Sequence, residues 1–318
     1  MKAAVRSTYG SPAVLHIQEV AMPAPRSHEV LVKVYATTVN RTDCGILWGH
    51  PYLVRLFTGL RKPRASVTGS DFAGMIEAVG AGVTAFKVGD KVMGFEGMRG
   101  CGSHAHYLTI PETRAIMTIP EGLTYEEAAA CLEGAFYAAS GIRYLKPKEG
   151  QKALVNGATG AIGSATVQIL KTYGVQVTAV CRGEHAELVC SLGADRIIDY
   201  TREDFTKDNE QYDYVFDSVG KSTFKRCKHL LKRRGIYTST DGFENLYLQL
   251  FNFLRGGKRV VFLPPNDTLG GLHFIKALIE RGSFRPVIDR QYPLESIADA
   301  YAYVAQGKKI GNVIIAMN

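Results

Sequence analysis

The residues with the clearest chemical meaning form a glycine-rich turn near the middle of the chain. In chain order, the turn contains Gly157, Ala158, Thr159, Gly160, Ala161, Ile162 and Gly163. It follows a short apolar run and precedes a segment with apolar side chains at helical spacing. Glycines here let the backbone approach a pyrophosphate, and the following helix offers N–H groups and its positive dipole end. The turn therefore predicts a dinucleotide site, although Ala158 stands where the strict G-x-G-x-x-G pattern has its first glycine.

The surrounding elements distinguish this site from an ordinary tight turn between a strand and a helix. Beyond about Thr124, β-type runs alternate with helical ones, and strands are predicted at residues 152–155, 176–180, 196–198, 212–217, 235–238 and 259–263. Short strands joined mostly by helices predict a parallel, doubly wound sheet of the Rossmann kind, which binds ligands at the carboxyl ends of its strands. The further candidate cofactor-binding residues at those ends are Val219, Gly220, Ser239, Thr240, Phe262 and Leu263.

The end of the second strand of this sheet bears on which dinucleotide is bound. An NAD enzyme has an acidic residue there for the ribose 2′-hydroxyl. Here the strand is followed by Arg182, and no acidic residue occurs before Glu184. A guanidinium can pair with a 2′-phosphate through its planar fork, although an exposed loop cation is the other interpretation of Arg182. The pattern favours NADPH as the cofactor.

Composition and length indicate a folded, two-domain protein outside several large classes. The chain has 318 residues, of which 46% are hydrophobic and 21% charged. No apolar run approaches the roughly 18 residues of a membrane-spanning helix, and the N-terminal residues lack the apolar core of a secretory signal. The six cysteines are scattered without a C-x-x-C pair, which argues against a disulfide framework or a zinc cluster. We therefore expect a cytoplasmic protein.

The formal charge of +8 raises the question of an anionic partner. The densest basic clusters lie at residues 61–64 and 225–234. The second cluster is predicted to form the last turns of a helix that Gly235 ends, where cations offset the negative end of the helix dipole. Solvated helix ends account for these clusters better than a nucleic-acid patch does. We expect no nucleic-acid partner and no membrane span.

The first third of the chain differs from the alternating part. Short β-type runs at residues 30–34, 73–79 and 91–93 are separated by Gly and Pro turns, which predicts an irregular, largely antiparallel β domain. A helix is predicted after Thr124, which serves as its N-cap, with Glu127 completing a capping box. The predicted domains are residues 1–121, a nucleotide-binding domain at 122–264, and a segment at 265–318 that returns to the first domain.

Several motifs resemble one known family in their order along the chain. They are Asn40-Arg41-Thr42-Asp43, Gly69-Ser70-Asp71-Phe72-Ala73-Gly74, Val88-Gly89-Asp90-Lys91-Val92, the glycine turn, and Val215-Phe216-Asp217-Ser218-Val219-Gly220. Together they resemble the medium-chain dehydrogenase/reductase superfamily over nearly the whole chain. The resemblance implies an α/β protein with a GroES-like β-rich catalytic domain, a doubly wound Rossmann domain, and an active site in the cleft between them.

The resemblance also indicates whether this chain has the zinc ligands of the family. Zinc-dependent members have a Cys in the first of these motifs and a His-Glu pair in the second, whereas this chain has Asn40, Ser70 and Asp71 there. The third metal position falls near Gly134, and the four-cysteine structural lobe is absent. A lone Cys131 does not provide the three converging ligands that zinc requires. The chain therefore resembles the zinc-free quinone oxidoreductase branch, which implies metal-free hydride transfer from NADPH to a quinone or an α,β-unsaturated carbonyl.

That branch implies roles for several residues, each with a structural alternative. Asn40 would lie beside the nicotinamide, or else it is a turn residue. Tyr200 would lie near the adenosine 2′-phosphate, or else it covers the sheet edge. The apolar and basic segment 46–67 is either a substrate lid or packing, with Trp48 and Phe136 as candidate substrate-binding residues and Tyr52 as a candidate catalytic one.

Two further expectations concern alternatives and assembly. Glu133 could handle protons, or else it is a helix-end carboxylate. A zinc-free alcohol or aldehyde dehydrogenase and a dinucleotide-binding protein without turnover are the competing functions. The sixth Rossmann strand, residues 259–263, is expected to form an apolar edge, and such an edge favours pairing into a homodimer.

Overall fold

The computed structural model describes residues 1–240, 244–252, 257–262 and 267–317. The chain forms two compact units. Unit 1 contains Met1–Glu133, Thr268–Lys276 and Pro286–Asn318, and unit 2 contains Gly134–Asp267 and Ala277–Arg285. Within the described ranges, no helix combines the length and apolar character needed to cross a membrane.

Unit 1 is built around a largely antiparallel sheet. Its strands are β1 Lys2–Val5, β2 His16–Glu19, β3 Glu29–Val39, β4 Asp71–Val79, β5 Lys91–Phe95, β6 Tyr107–Pro111, β7 Ile116–Thr118, β14 Ile288–Pro293 and β15 Asn312–Ala316. The sheet has the strand order β14-β15-β3-β4-β5-β7, in which β6 also pairs with β3, and β1 and β2 form a separate small antiparallel pair. The central strand β3 buries Val30, Val32 and Val34, because alternate residues of a strand share one face.

Helices cover this sheet and complete its core. They are α1 Arg41–Trp48, α2 Val54–Thr58, α3 Tyr125–Ala130, α9 Thr268–Glu280, whose last turn belongs to unit 2, and α10 Ile297–Ala305. Helix α10 buries Ile297, Ala300, Tyr301 and Val304, a spacing that places them on one helix face. The predicted capping box of α3 is confirmed, since Thr124 accepts a hydrogen bond from the Glu127 N–H and donates its own N–H to the Glu127 carboxylate.

Unit 2 is a Rossmann fold. Its strands are β8 Lys152–Asn156, β9 Gln176–Cys181, β10 Arg196–Asp199, β11 Tyr212–Asp217, β12 Leu231–Ser239 and β13 Arg259–Val260. They form one sheet in the order β10-β9-β8-β11-β12-β13 with parallel pairing throughout. Numbered along the chain, this is the order 3-2-1-4-5-6 of doubly wound nucleotide-binding sheets. The helices are α4 Glu133–Leu145, α5 Ala161–Thr172, α6 Ala186–Ser191, α7 Phe224–Cys227 and α8 Glu244–Asn252. The predicted fold class, a β-rich GroES-like part with a Rossmann part, is confirmed.

The structure corrects the prediction that the basic run before Gly235 ends a helix. The sequence predicts a helix end there, but helix α7 stops at Cys227 and the run lies in strand β12. Leu231 pairs with Tyr212, and the register shifts beyond that pair. A Cβ at Gly235 would lie 2.9 Å from the Tyr212 carbonyl oxygen, so glycine here permits close approach of two strands rather than ending a helix.

The sixth strand is shorter than predicted. Strand β13 covers only Arg259–Val260 and pairs with β12 alone, which makes it the edge of the described sheet. Val261 and Phe262 lie beyond the strand, and Leu263 lies outside the described residues.

Candidate active site

The glycine turn adopts a conformation that only glycine accommodates at two of its positions. Gly157 has φ of +80°, and a Cβ there would lie 2.3 Å from Val219 Cγ1. A Cβ on Gly163 would lie 2.0 Å from the Gly157 carbonyl oxygen, because the first turn of α5 packs directly against the end of β8. The N–H groups of Gly157 and Ala158 donate to the Val180 carbonyl oxygen at 3.1 Å each, which ties the turn to the neighbouring strand β9.

The N-terminus of α5 is open to an anionic ligand. Gly160 is its N-cap, and no side chain caps the helix. A Cβ on Gly160 would meet no atom closer than the Gly157 carbonyl oxygen at 3.5 Å, so the space above the turn is free. Backbone N–H groups and a positive dipole end in an open position are suited to a pyrophosphate. All seven predicted turn residues lie in this feature, and the residues present fit a dinucleotide.

A buried carboxylate organises the adjacent strand ends. Asp217 and Asn156 are paired residues at the ends of β11 and β8, and the Asn156 amide donates to Asp217 at 3.0 Å. The Asp217 carboxylate accepts N–H donors from Val219 at 3.3 Å and Ser222 at 2.8 Å. The Thr240 N–H donates to the Asp217 carbonyl oxygen at 3.2 Å. Asp217 thus fixes two of the predicted ligand loops, a role that the sequence signals only by a polar residue ending an apolar strand.

The remaining predicted strand-end residues differ in exposure. Gly220 is exposed with φ of +64°, and Thr240 is exposed, whereas Ser239 is buried. Phe262 is half-buried, and its N–H donates to the Gln249 side chain at 2.7 Å. Their contacts with a cofactor stay predictions.

Arg182 and Tyr200 come together at the carboxyl edge of the same sheet. They follow the paired residues Cys181 and Asp199, the last residues of β9 and β10. The Arg182 Nε donates to the Tyr200 hydroxyl at 3.0 Å, and a guanidinium nitrogen lies 3.4 Å from the Glu184 carboxylate. Both side chains are about half exposed, so the guanidinium remains accessible to a ligand phosphate.

Asn40 lies at the centre of a buried polar cluster in unit 1. It is the N-cap of α1 and forms a capping box with Asp43. Its amide nitrogen also lies within hydrogen-bond distance of the Ser70 hydroxyl at 3.0 Å, and of Thr38 Oγ1 and Asp71 Oδ2, each at 3.2 Å. The structural role that the sequence offers as an alternative is therefore present, and contact of Asn40 with substrate stays a prediction.

Two buried carboxyl groups, Asp43 and Asp71, contact Asn40, and the buried carboxyl group of Glu133 contributes to raising the pKa of both. Burial raises the pKa of Asp71 to about 7, even though Thr38 and Thr37 donate hydrogen bonds to it. Burial and the neighbouring Asp71 raise the pKa of Asp43 well above its ordinary value. Burial likewise raises the pKa of Glu133. A raised pKa shifts the equilibrium of each of these carboxyl groups towards its protonated form.

Glu133 has two polar neighbours of its own. The Thr42 hydroxyl donates to its carboxylate at 2.9 Å. The Lys309 ammonium acts to lower the pKa of Glu133, while burial lowers the pKa of Lys309. Sequence reasoning missed Lys309, because it lies near the C-terminus without any motif around it. Glu133 is also the first residue of α4, so both sequence interpretations, proton handling and a helix-end carboxylate, remain open.

The three aromatic residues predicted near the substrate lie in different surroundings. Trp48 is half-buried against the core of unit 1, with the Arg41 guanidinium 5.7 Å from its ring centre. Tyr52 is 70% exposed, and the Arg55 guanidinium lies 4.9 Å from its ring. Phe136 is buried in α4 of unit 2 and tilts against Tyr137. Burial favours packing for Phe136, and substrate contacts of all three stay predictions.

The donor groups at the would-be metal positions do not fit zinc. Asn40 and Ser70 are hydrogen-bonded to each other, and neither an amide nor a hydroxyl is a usual zinc ligand. In the part of the chain that the structure describes, no three His, Cys, Asp or Glu side chains are grouped to hold a metal ion. Cys131 is buried, and burial raises the pKa of its thiol.

Comparisons with known proteins agree with this architecture. The alcohol dehydrogenase GroES-like domain model matches residues 26–121, and the zinc-binding dehydrogenase model matches residues 192–315. The fold is similar to that of the quinone oxidoreductase from Coxiella burnetii, with a TM-score of 0.89 and 24% identity over 100% of this chain and 99% of that one.

Two curated relatives align over nearly the whole chain. The NADPH-dependent alkenal/one oxidoreductase of Arabidopsis thaliana is 30% identical over 99% of this chain and 79% of its own length. The quinone oxidoreductase of Rattus norvegicus is 30% identical over 97% of this chain and 95% of its own length. With the Rossmann strand order and the glycine turn in place, the chain belongs to the medium-chain dehydrogenase/reductase superfamily, among its quinone and enone oxidoreductases, and is a nicotinamide-dependent oxidoreductase.

Proposed function

We propose that this protein transfers hydride from NADPH to a quinone or an α,β-unsaturated carbonyl without a metal ion. The observation that carries the proposal is the Arg182–Tyr200 pair beside the glycine turn, since it presents a cation where an NAD enzyme has an acidic residue. The oxidoreductases of quinones and enones among the relatives support the choice of acceptor.

The cofactor would be held by backbone and side-chain groups of unit 2. The open N-terminus of α5 at Gly160 would take the pyrophosphate, and Arg182 with Tyr200 would take the adenosine 2′-phosphate. Asp217 holds the Val219–Gly220 loop, which is the other predicted contact. These groups are fixed by the fold before any ligand binds, so little ordering entropy opposes binding.

When bound, NADPH supplies a hydride to an acceptor carbon. That carbon must already be electron-poor, because the described residues around Asn40 and Ser70 offer no group of three side chains that could hold a zinc ion to polarise a carbonyl. Quinones and α,β-unsaturated carbonyls meet this condition, and simple alcohols and ketones do not. We propose that the Asn40 amide stabilises the developing oxyanion or orders a water that delivers the completing proton. Trp48, Tyr52 and Phe136 are the residues proposed to bound the acceptor.

Acceptor specificity tests this function. The purified protein should oxidise NADPH with a small ortho- or para-quinone or with an enone, and should oxidise primary alcohols with NADP hardly at all. Robust alcohol oxidation would instead favour a zinc-free alcohol dehydrogenase. NADPH binding by calorimetry without turnover on any acceptor would favour a dinucleotide-binding protein that is not an enzyme.

Variants of Asn40 separate its capping role from its proposed chemical role. Asn40→Ser keeps an N-cap oxygen and removes the amide, whereas Asn40→Ala removes both. If the amide contacts the reacting atoms, both variants should lower kcat more than they weaken NADPH binding. If Asn40→Ser retains full turnover, the residue acts only as a cap.

Arg182→Ala tests the choice of cofactor. Loss of one charge-assisted contact should raise the KM for NADPH about tenfold or more and leave the KM for NADH nearly unchanged. Arg202→Ala is a matched control, because Arg202 is an exposed cation on the same edge whose contact is Asp199. An equal effect of Arg182→Ala on both cofactors would refute the 2′-phosphate assignment.

We also propose a homodimer that pairs the edge strand β13 across a twofold axis. β13 ends the described sheet, and Val260 is buried beside an unpaired strand edge. One chain has a mass of 34.8 kDa, and light scattering at micromolar concentration should give twice that mass. A monomeric mass under those conditions would count against this assembly.

A further inference from the structure

A cluster of large apolar side chains lies exposed in unit 1 at residues 52–64, here called the apolar–basic patch. Its apolar members are between 47% and 70% exposed. They are Tyr52, Leu53, Leu56, Phe57 and Leu60. Single exposed apolar residues are ordinary, but five within nine positions of the chain are not, and soluble proteins normally reserve such clusters for binding.

The fold holds these side chains outward. The inner face of the short helix α2 buries Val54 and Thr58. The Tyr9 hydroxyl lies 2.7 Å from Thr58 Oγ1, and it donates to the carbonyl oxygen of the next residue, Gly59, at 2.6 Å. Arg55 donates to the Gly49 carbonyl oxygen at 3.0 Å and stacks over Tyr9. Because the inner face is anchored in this way, the opposite face stays presented to its surroundings.

The charged residues of the segment that carries the patch have one sign. Between Asp43 and Asp71, both of which are buried, the sequence has no acidic residue. The patch itself carries Arg61, Lys62 and Arg64, all exposed. Exposed apolar side chains beside exposed cations are complementary to a surface that is negative at its boundary and apolar just beneath.

We propose that the apolar–basic patch docks unit 1 on an anionic lipid bilayer. The leucines and Phe57 enter the interfacial layer, and Arg61, Lys62 and Arg64 contact headgroup phosphates. The association is peripheral and reversible. It uses the leucines, Phe57 and the three cations, none of which is assigned a role in the chemistry proposed above.

Two other occupants fit the patch less well. Single-stranded nucleic acid requires rings on which bases stack, but three of the five apolar residues are leucines. A second copy of the chain would bring two positive patches together, and like charges across an interface oppose association. Of these three occupants, the lipid surface is the one that satisfies both the aliphatic side chains and the cations.

Vesicle sedimentation with the full chain tests the proposal. The protein should sediment with vesicles of phosphatidylcholine and phosphatidylglycerol at 0.1 M salt, much less with pure phosphatidylcholine, and less again at 0.5 M salt. The double variant Lys62→Gln/Arg64→Gln should weaken partitioning about 25-fold, since each cation near an anionic surface contributes about fivefold. Phe57→Ser/Leu60→Ser should weaken it at least about tenfold.

Arg233→Gln/Arg234→Gln provides a control with the same loss of charge from exposed positions of unit 2, and it should bind vesicles as the unaltered protein does. Folding of each variant is checked by its thermal midpoint. Equal binding to neutral and anionic vesicles, or an equal loss in the unit 2 control, would overturn the proposal. The proposal would also be overturned if the unaltered protein did not bind vesicles, if it formed an oligomer that Phe57→Ser/Leu60→Ser dissociates, or if it preferred a single-stranded oligonucleotide to vesicles.

Discussion

Replacing Asp71 by asparagine should flatten the pH dependence of the stability of unit 1. Asp71 is fully buried beside Asn40, and its carboxylate accepts the Thr38 N–H at 2.7 Å. Burial raises its pKa to about 7 from an ordinary value of 3.8. Between those two values, the folded chain keeps a proton that the unfolded chain has released. The stabilising contribution is therefore complete below about pH 4 and is lost as the pH rises through 7.

The size of the effect follows from this shift. A carboxyl with a pKa of about 7 in the folded chain and 3.8 in the unfolded one contributes about 2.5 kcal/mol less to the free energy of unfolding at pH 8 than at pH 5. The asparagine side chain cannot ionise, so the variant lacks this term. Its absolute stability should also fall at low pH, because its amide nitrogen would face the Asn40 amide, now 3.2 Å from Asp71 Oδ2.

The single tryptophan of the chain provides a suitable signal. Trp48 ends helix α1 and packs against the core of unit 1, so its fluorescence follows unfolding of that unit. Urea unfolding at a series of pH values from 5 to 8 gives the free energy for the unaltered protein and for Asp71→Asn. The slope should be shallower in the variant, although not zero, because burial also raises the pKa values of Asp43 and Glu133.

Glu121→Gln is the control, because Glu121 is an exposed carboxylate of the same unit, and its slope should match that of the unaltered protein. If Asp71→Asn and the unaltered protein lose stability in parallel from pH 5 to pH 8, Asp71 is ionised throughout and the reasoning from burial fails.

Three further predictions follow from the structure. Metal analysis of the purified protein should find no stoichiometric zinc, because the would-be ligand positions hold Asn40 and Ser70, which are hydrogen-bonded to each other. One tightly held zinc per chain would refute this. Thr124→Ala should destabilise unit 1 by about 1 kcal/mol through loss of the α3 cap, with Thr124→Ser restoring it in the same fluorescence assay. Gly163→Ala should abolish NADPH binding measured by calorimetry, because its Cβ would lie 2.0 Å from a backbone oxygen, whereas Gly141→Ala, with no atom within 4 Å of its Cβ, should bind normally.

The presence of the Rossmann strands could be predicted from the sequence because each strand is a local apolar run. Glycine at a strand-to-helix turn is a local requirement too, and the turn at Gly157–Gly163 lies where the pattern predicts it. Strand β12 was predicted at residues 235–238, but its beginning at Leu231 could not be predicted correctly. Its residues Lys232 to Arg234 have the composition of a helix end, and only pairing with the distant β11, through Leu231 and Ile236, makes them a strand.

The same distinction between local patterns and long-range contacts applies to the candidate site. The sequence shows the side chains of Arg182 and Tyr200 and predicts the parallel pairing of the strands that precede them. In the structure, that pairing brings the two side chains together. The raised pKa values of Asp43, Asp71 and Glu133 could not be predicted from the sequence, because they depend on burial by segments far apart in the chain.

The segment at residues 46–67 shows why a choice between two interpretations could not be made from composition. As a substrate lid or as packing, it would contain the same apolar residues. The structure separates them into two groups. Leu47 in α1 and Val54 in α2 are buried, whereas Leu56 and Phe57 are exposed in α2, a helix of little more than one turn. A periodicity cannot be recognised in so short a helix, since a pattern needs several turns to repeat. The side facing outward is instead set by the Tyr9 contacts, which join residues about fifty positions apart.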